Sequence, residues 1–283
     1  MEIISLLRQT GKLWNRSRAN RMSAALAYYT VLSLSPLLLI AVTVAGLAYG
    51  ATAAQSELMN QIRQVGGYQV AEAVENILLN SSRPETGFLA SLLSLLILLF
   101  GASNVFDQLQ EAMNTIWGVP HLEEAGLWKF IKRRLYAVGL VLSVGLLLVA
   151  LILVSTVLSV ISQFVADQLH PSFDLLHWLD LLLSGILLSV IFAFLFKVLP
   201  EARVRWRDVW GGGVLTAVLI TLSKYLIGLY FGRTSSTSAY GAAGSLAVLL
   251  IWVYFSGQIF FLGAAFTKVV SDKRRKQELV ISG

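Results

Sequence analysis

Lys224 is the one ionisable side chain set well inside a long apolar run, seven residues from the run's end near position 231. A rise of about 1.5 Å per helical residue puts it roughly 10 Å from that end. A cation at that depth is costly unless it pairs with an anion or reaches water, so such a residue is a functional candidate by default. Its chemistry would be the pairing of an ammonium with an anionic group such as a phosphate headgroup. Two readings stand side by side: an inward-facing lysine that bears function, and a snorkelling or structural one.

Two polar stripes are the natural companions of that lysine. Ser94, Gly101, Asn104, Gln108 and Glu111 are separated by 7, 3, 4 and 3 residues, and Ser245, Trp252, Ser256, Gly263 and Thr267 by 7, 4, 7 and 4. Each set shares one helical face. Small and hydroxyl residues let membrane helices approach closely, so the stripes fit helix packing. The alternative is a shared polar cavity, with Lys224, Asn104, Ser94, Gln108, Ser245, Trp252 and Ser256 as a substrate path. Pro36, Gly101, Gly228, Gly232 and Gly263 are hinge or packing positions; Pro36 is expected to kink or restart its helix. Gly46–Gly50 and Gly228–Gly232 are GxxxG pairs and point weakly to helix contact.

Other chemistries lack their residues. There is no cysteine, and His121, His170 and His177 carry no metal-binding spacing, so no thiolate, disulfide or histidine metal site is expected. Asp107 and Glu111 lie four apart on one helical face. Metal-dependent phosphodiester cleavage needs a tighter cluster of carboxylates, and surface pairing or capping explains these two as readily. No glycine-rich phosphate loop with a following lysine and no nucleophile elbow is present. The expectation is a protein with no catalytic residues, no metal and no cofactor.

The elements that position these residues are membrane helices. Apolar side chains make up 56% of 283 residues and charged ones only 13%, about half the usual charge of a soluble chain; mean hydropathy is +0.71. The net charge of +6 points to a membrane surface rather than to nucleic acid, because of where it falls. Six apolar stretches reach the roughly 20 residues that a spanning helix needs, at about 31–52, 87–106, 136–161, 178–198, 209–231 and 244–267. The charge-free stretch Met22–Ser56 is far longer than a signal-peptide core of about 7–15 residues, so it reads as a retained helix with its flanks. Eighteen of the 22 lysines and arginines fall in the N-terminal arm, the second and fourth connections and the C-terminal tail, which puts both termini in the cytoplasm. The fold class is all-α, a polytopic membrane protein of six spans in one domain.

Two elements lie outside the spans. Within the arm 1–30, residues 3–16 set Ile3, Ile4, Leu6, Leu7, Leu13 and Trp14 on one side and Arg8, Lys12 and Arg16 on the other, the pattern of an interfacial amphipathic helix. It serves as an anchor, and its cations suit anionic headgroups. In the outer segment 53–86, Leu58, Ile62 and Val65 share a face, as do Val70, Val74, Ile77 and Leu78, with Gly66-Gly67 between the sets. Two short amphipathic helices capping the outer mouth are expected; the pattern suits a fixed cap and a moving lid alike. Residues 268–283 form a basic tail.

Four separated motifs resemble the YihY/BrkB family of bacterial inner-membrane proteins. They are Ala24-Ala25-Leu26-Ala27-Tyr28-Tyr29-Thr30 with Leu34-Ser35-Pro36-Leu37, then Gly101-Ala102-Ser103-Asn104-Val105-Phe106 with Ala112-Met113-Asn114-Thr115-Ile116-Trp117, then Leu199-Pro200 with Trp206-Arg207-Asp208-Val209, and Tyr240-Gly241-Ala242-Ala243-Gly244-Ser245 through Ile251-Trp252. One departure stands out: Gly263-Ala264-Ala265 occupies the place where the family often carries Gly-Ala-Glu, so a mechanism using that carboxylate does not transfer. The resemblance implies six spans with cytoplasmic termini. It also brings the family's histories: a mistaken ribonuclease BN label, a link to virulence through serum resistance, and a suggested role in envelope lipid transport. It carries no catalytic residues.

The functional expectation is a multi-pass inner-membrane transporter or permease for lipid or another amphiphilic envelope substrate. The alternative is a non-transporting scaffold in an envelope assembly. Membrane lipids and an envelope protein are the expected partners, and nucleic acid is not. GxxxG pairs leave the oligomeric state open.

Overall fold

The computed structural model describes residues 2–81, 105–120, 139, 173–232 and 241–282. The described residues hold eight helices and no strand. They are α1 (Glu2–Arg16), α2 (Ala19–Tyr49), α3 (Ala51–Gly66), α4 (Tyr68–Ser81), α5 (105–117), α6 (Phe173–Val198), α7 (Trp206–Gly232) and α8 (Gly241–Ser282). The stretches expected at 87–106 and 136–161 lie almost wholly outside the described residues, as do Ser94, Gly101 and Asn104.

A turn at Ser17-Arg18, with Arg18 at φ 53°, divides the arm, and α2 starts at Ala19, twelve residues before position 31. Ser17 N–H donates to Leu13 O at 2.9 Å and Arg18 N–H to Asn15 O at 3.0 Å, which closes α1. Helix α2 then continues unbroken past Pro36, so the helix is not restarted there. It ends instead at Gly50, whose φ of 83° is open to glycine alone without strain. A Cβ on Gly50 would meet nothing within 4 Å. That glycine therefore turns the chain and packs against none of the described residues.

The described part of the segment expected on the outer side folds into two helices, as its pattern requires. Gly67 at φ 87° separates α3 from α4. Met59 on α3 and Val70, Ala73, Val74 and Leu78 on α4 are buried against Ala27 of α2 and Val248, Leu249 and Val253 of α8. A second core, about two turns further along α8, joins Leu26, Met113, Ile116, Phe196, Val209 and Phe261. Phe196 and Phe260 lie 5.0 Å apart between ring centres.

Helix α8 is thus the post on which the rest is built. Its 42 residues run about 63 Å, twice the roughly 30 Å of a hydrocarbon core. The basic tail expected at 268–283 is helical to Ser282. Helices α7 and α8 both contain stretches long and apolar enough to cross a membrane, and α6 has a shorter apolar one at Ser184–Val198. The outward face of α7 agrees: Trp210, Val214, Val218, Leu222 and Leu226 recur every four residues and are 46 to 59% exposed. An apolar row facing outward suits lipid, which asks for no polar cover.

Candidate functional site along the last two helices

Lipid gives apolar helices no reason to associate, so van der Waals fit must do it. The opposite face of α7 and the middle of α8 are made for that. Gly212 and Thr216 lie one turn apart on α7, and Gly263 and Thr267 one turn apart on α8. The helices run antiparallel, so each glycine faces the other helix's threonine. A Cβ built on Gly212 would fall 1.9 Å from Thr267 Oγ1, and one on Gly263 would fall 1.8 Å from Thr216 Oγ1. Both threonines are fully buried. Their hydroxyls donate backward, Thr216 to Gly212 O at 2.8 Å and Thr267 to Gly263 O at 2.9 Å, so no polar group is left bare. Gly213 meets α6 as closely: its Cβ would lie 2.6 Å from Ser189 O.

At the charged end of this contact, Asp208 in the first turn of α7 is 1% exposed. A buried carboxylate survives only with partners. Arg274 Nη1 reaches Oδ1 at 3.0 Å, Ser271 Oγ donates to Oδ2 at 3.1 Å, and Arg205 Nε lies 3.4 Å from Oδ2. Arg205 also donates through Nη1 to both carboxylate oxygens of Glu278, at 2.8 and 2.9 Å. The Glu278 carboxylate, and after it Asp208, raise the Arg205 pKa above its already high ordinary value. Arg274 Nη1 further donates to Arg207 O at 2.6 Å.

The turn before Asp208 is braced from both sides. Lys197 Nζ donates to Val204 O. From α5, Asn114 Oδ1 accepts from Glu201 N–H at 2.9 Å, and Gln110 Nε2 donates to Glu201 Oε1 at 3.1 Å. Lys268 on α8 pairs with Asp272 at 2.6 Å and sits 5.5 Å from the Trp117 ring centre, close enough for a cation–π attraction.

The described residues among those singled out in the sequence as a substrate path lie on three helices, α5, α7 and α8. Lys224 is half-buried in register with the inward row Gly213, Ala217 and Ile220, with its ammonium 5.6 Å from the Tyr225 ring centre. Gln108 is half-buried on α5, where Glu111 is exposed. Trp252 packs in the outer core. One turn on, the Ser256 hydroxyl is buried with no hydrogen-bond partner among the described residues. Gly263 and Thr267 are spent on the α7 contact. Ser94, Gly101 and Asn104 lie outside the described residues, and the surroundings of Pro36, Gly228, Gly232 and Ser245 lie outside them too.

Sequence reasoning did not single out the Asp208 cage or the Thr216 contact. The signals were present: an acidic residue amid basic ones at Arg205-Trp206-Arg207-Asp208, and the triplet Gly211-Gly212-Gly213. Neither says which partner waits across the fold.

Residues 11–281 match a family profile described as Virulence factor BrkB. A UPF0761 membrane protein of Rhodospirillum centenum is 26% identical over 271 residues, which is 93% of this chain and 56% of that protein. One from Stenotrophomonas maltophilia (strain K279a) is 29% identical over 281 residues, covering 93% and 60%. One from Verminephrobacter eiseniae is 32% identical over 175 residues, covering 60% and 39%. The chain thus spans between 39 and 60% of the length of these relatives. No solved structure matches it.

Proposed function

The chain belongs to the BrkB family of membrane proteins, and from that premise we propose that it is a non-enzymatic permease for lipid or another amphiphilic envelope substrate. It crosses the bacterial inner membrane six times with both termini in the cytoplasm. Helices α6, α7 and α8 are three of the spans, and α2 is a fourth.

Lys224 carries the reading. It is half-buried on a helix whose outward row is apolar, and its ammonium lies over the Tyr225 ring. On this reading its ammonium meets an anionic headgroup that passes along the helix. The Ser256 hydroxyl, buried without a partner among the described residues, is a second polar group inside the apolar region.

The test is transbilayer movement of headgroup-labelled phospholipid in liposomes that hold the purified protein, set against empty vesicles. Movement that falls to the empty-vesicle level in Lys224→Met and is restored in Lys224→Arg supports the reading. Movement unchanged in Lys224→Met removes the lysine from the mechanism, and no movement with any labelled lipid removes lipid as the substrate.

One observation favours the scaffold reading. Tyr68 and Leu79 on α4 are 63 and 61% exposed at a surface expected to face the periplasm, where apolar groups suit a docked protein. A stoichiometric partner that co-purifies with the native chain and is lost on Tyr68→Ser/Leu79→Ser is the outcome that reading requires.

A further inference from the structure

Helix α1 lies against the charged half of α8, and a cleft of about 270 Å³ opens between them. Leu6 and Val269 give it an apolar side, while Ser5, Gln9, Lys273 and Lys276 bring polar atoms to it. Asp272 lines it as well, and its carboxylate is held by Lys268 at 2.6 Å. Ser5 and Gln9 lie one turn apart on α1, and Lys273 and Lys276 nearly one turn apart on α8. Each helix therefore presents two donors to the same space.

We propose that this cleft binds the phosphate of an anionic amphiphile, with Lys273 and Lys276 as its charge partners and Ser5 and Gln9 as hydrogen-bond donors. Its volume lies just under the roughly 300 Å³ at which pockets for drug-sized ligands begin, enough for a headgroup and too small for a whole lipid. The acyl chains have a place beside it. Ile4 and Leu7, the sequence neighbours of the lining residues, are 74 and 54% exposed on a helix built to lie in a bilayer interface. That placement favours a lipid over a free phosphate ester of the same chemistry. The inference rests on the membrane placement of α8 and not on transport, since a protein that moves no lipid still has this cleft.

Retention of dioleoyl phosphatidylglycerol by the purified full chain, read by native mass spectrometry, tests it. Phosphatidylglycerol is kept in preference to phosphatidylcholine, and Lys273→Gln/Lys276→Gln lowers its retention about tenfold. Arg8→Gln/Arg275→Gln removes the same charge outside the cleft and leaves retention within about twofold. Gln9→Glu adds a carboxylate to the cleft and releases the lipid with every lysine in place. Displacement by millimolar sn-glycerol 3-phosphate assigns the site to soluble phosphate esters, and none assigns it to lipid; both support a phosphate site. Equal loss in the two double variants, or equal retention of phosphatidylcholine, overturns it. Flux through liposomes is read separately, so failure of binding and failure of transport are told apart.

Discussion

Gly212 and Thr267 face each other so closely that a methyl group on the glycine would fall 1.9 Å from the threonine hydroxyl oxygen. Gly263 and Thr216 repeat the arrangement one turn along at 1.8 Å. The two helices meet at backbone distance because each glycine makes room for a threonine that folds its hydroxyl onto its own helix. In lipid, where apolar area alone drives nothing together, this fit holds α7 to α8.

The triplet Gly211-Gly212-Gly213 turns that contact into a graded test. A Cβ on Gly213 would press on Ser189 O at 2.6 Å, and one on Gly212 on Gly263 O at 2.9 Å, whereas Gly211 has only Phe266 at 3.5 Å. Gly213→Ala and Gly212→Ala should each destabilise the protein by about 1–3 kcal/mol, the usual cost of overpacking. Gly211→Ala should be neutral, or stabilising by up to about 1 kcal/mol through helix propensity. Thermal unfolding of the three variants in one detergent checks the order, and equal shifts would refute the packing account.

Asp208 ties the start of α7 to the far part of α8 through Arg274 and Ser271. Asp208→Asn keeps the shape and removes the charge, leaving two guanidinium groups without their shared partner. Those guanidiniums are 42% exposed, so water recovers part of the loss, and about 1–3 kcal/mol is expected. The effect should be local. Hydrogen exchange over 268–282 should rise while exchange in the outer core, around Val70 and Val248, stays as it was.

The chain has no cysteine, so single cysteines report topology without background. Arg275→Cys should react with a membrane-impermeant maleimide from the cytoplasmic side of oriented vesicles, and Ser56→Cys from the other side. Val218→Cys, on the outward apolar row of α7, should stay unlabelled until detergent is added. Labelling of Arg275→Cys from the periplasmic side would reverse the proposed orientation.

Ala265 is fully buried in the core with Phe196 and Phe261. Ala265→Glu places there the carboxylate of the Gly-Ala-Glu pattern that the family resemblance implies. With phenylalanines around it, an ionised side chain has no partner to meet its desolvation cost. The variant should lose more than about 3 kcal/mol or fail to accumulate in the membrane, as membrane-fraction yield and thermal unfolding would report.

The sequence by itself determined those features in which a residue's neighbours along the chain do the physical work. The all-helical class follows from apolar runs that no water could solvate. The break at Gly67 follows from a glycine pair between two amphipathic faces, and the sides of α3 and α4 that reach the core follow from their helical period. The polar stripe on α8 was legible as a stripe, but its meaning was not. Gly263 and Thr267 became a packing surface, Trp252 joined the outer core, and the Ser256 hydroxyl stayed unpartnered among the described residues, because what lies opposite each residue comes from a segment dozens of positions away. Gly50 shows the same limit, since a GxxxG spacing looks alike whether the last glycine packs or turns the chain. Asp208 with Arg274, and the cleft between α1 and α8, join positions 66 and more than 260 residues apart. Such pairs exist only once tertiary packing has chosen which helices are neighbours, and that choice rests on shape fit and charge pairing, which no local period encodes.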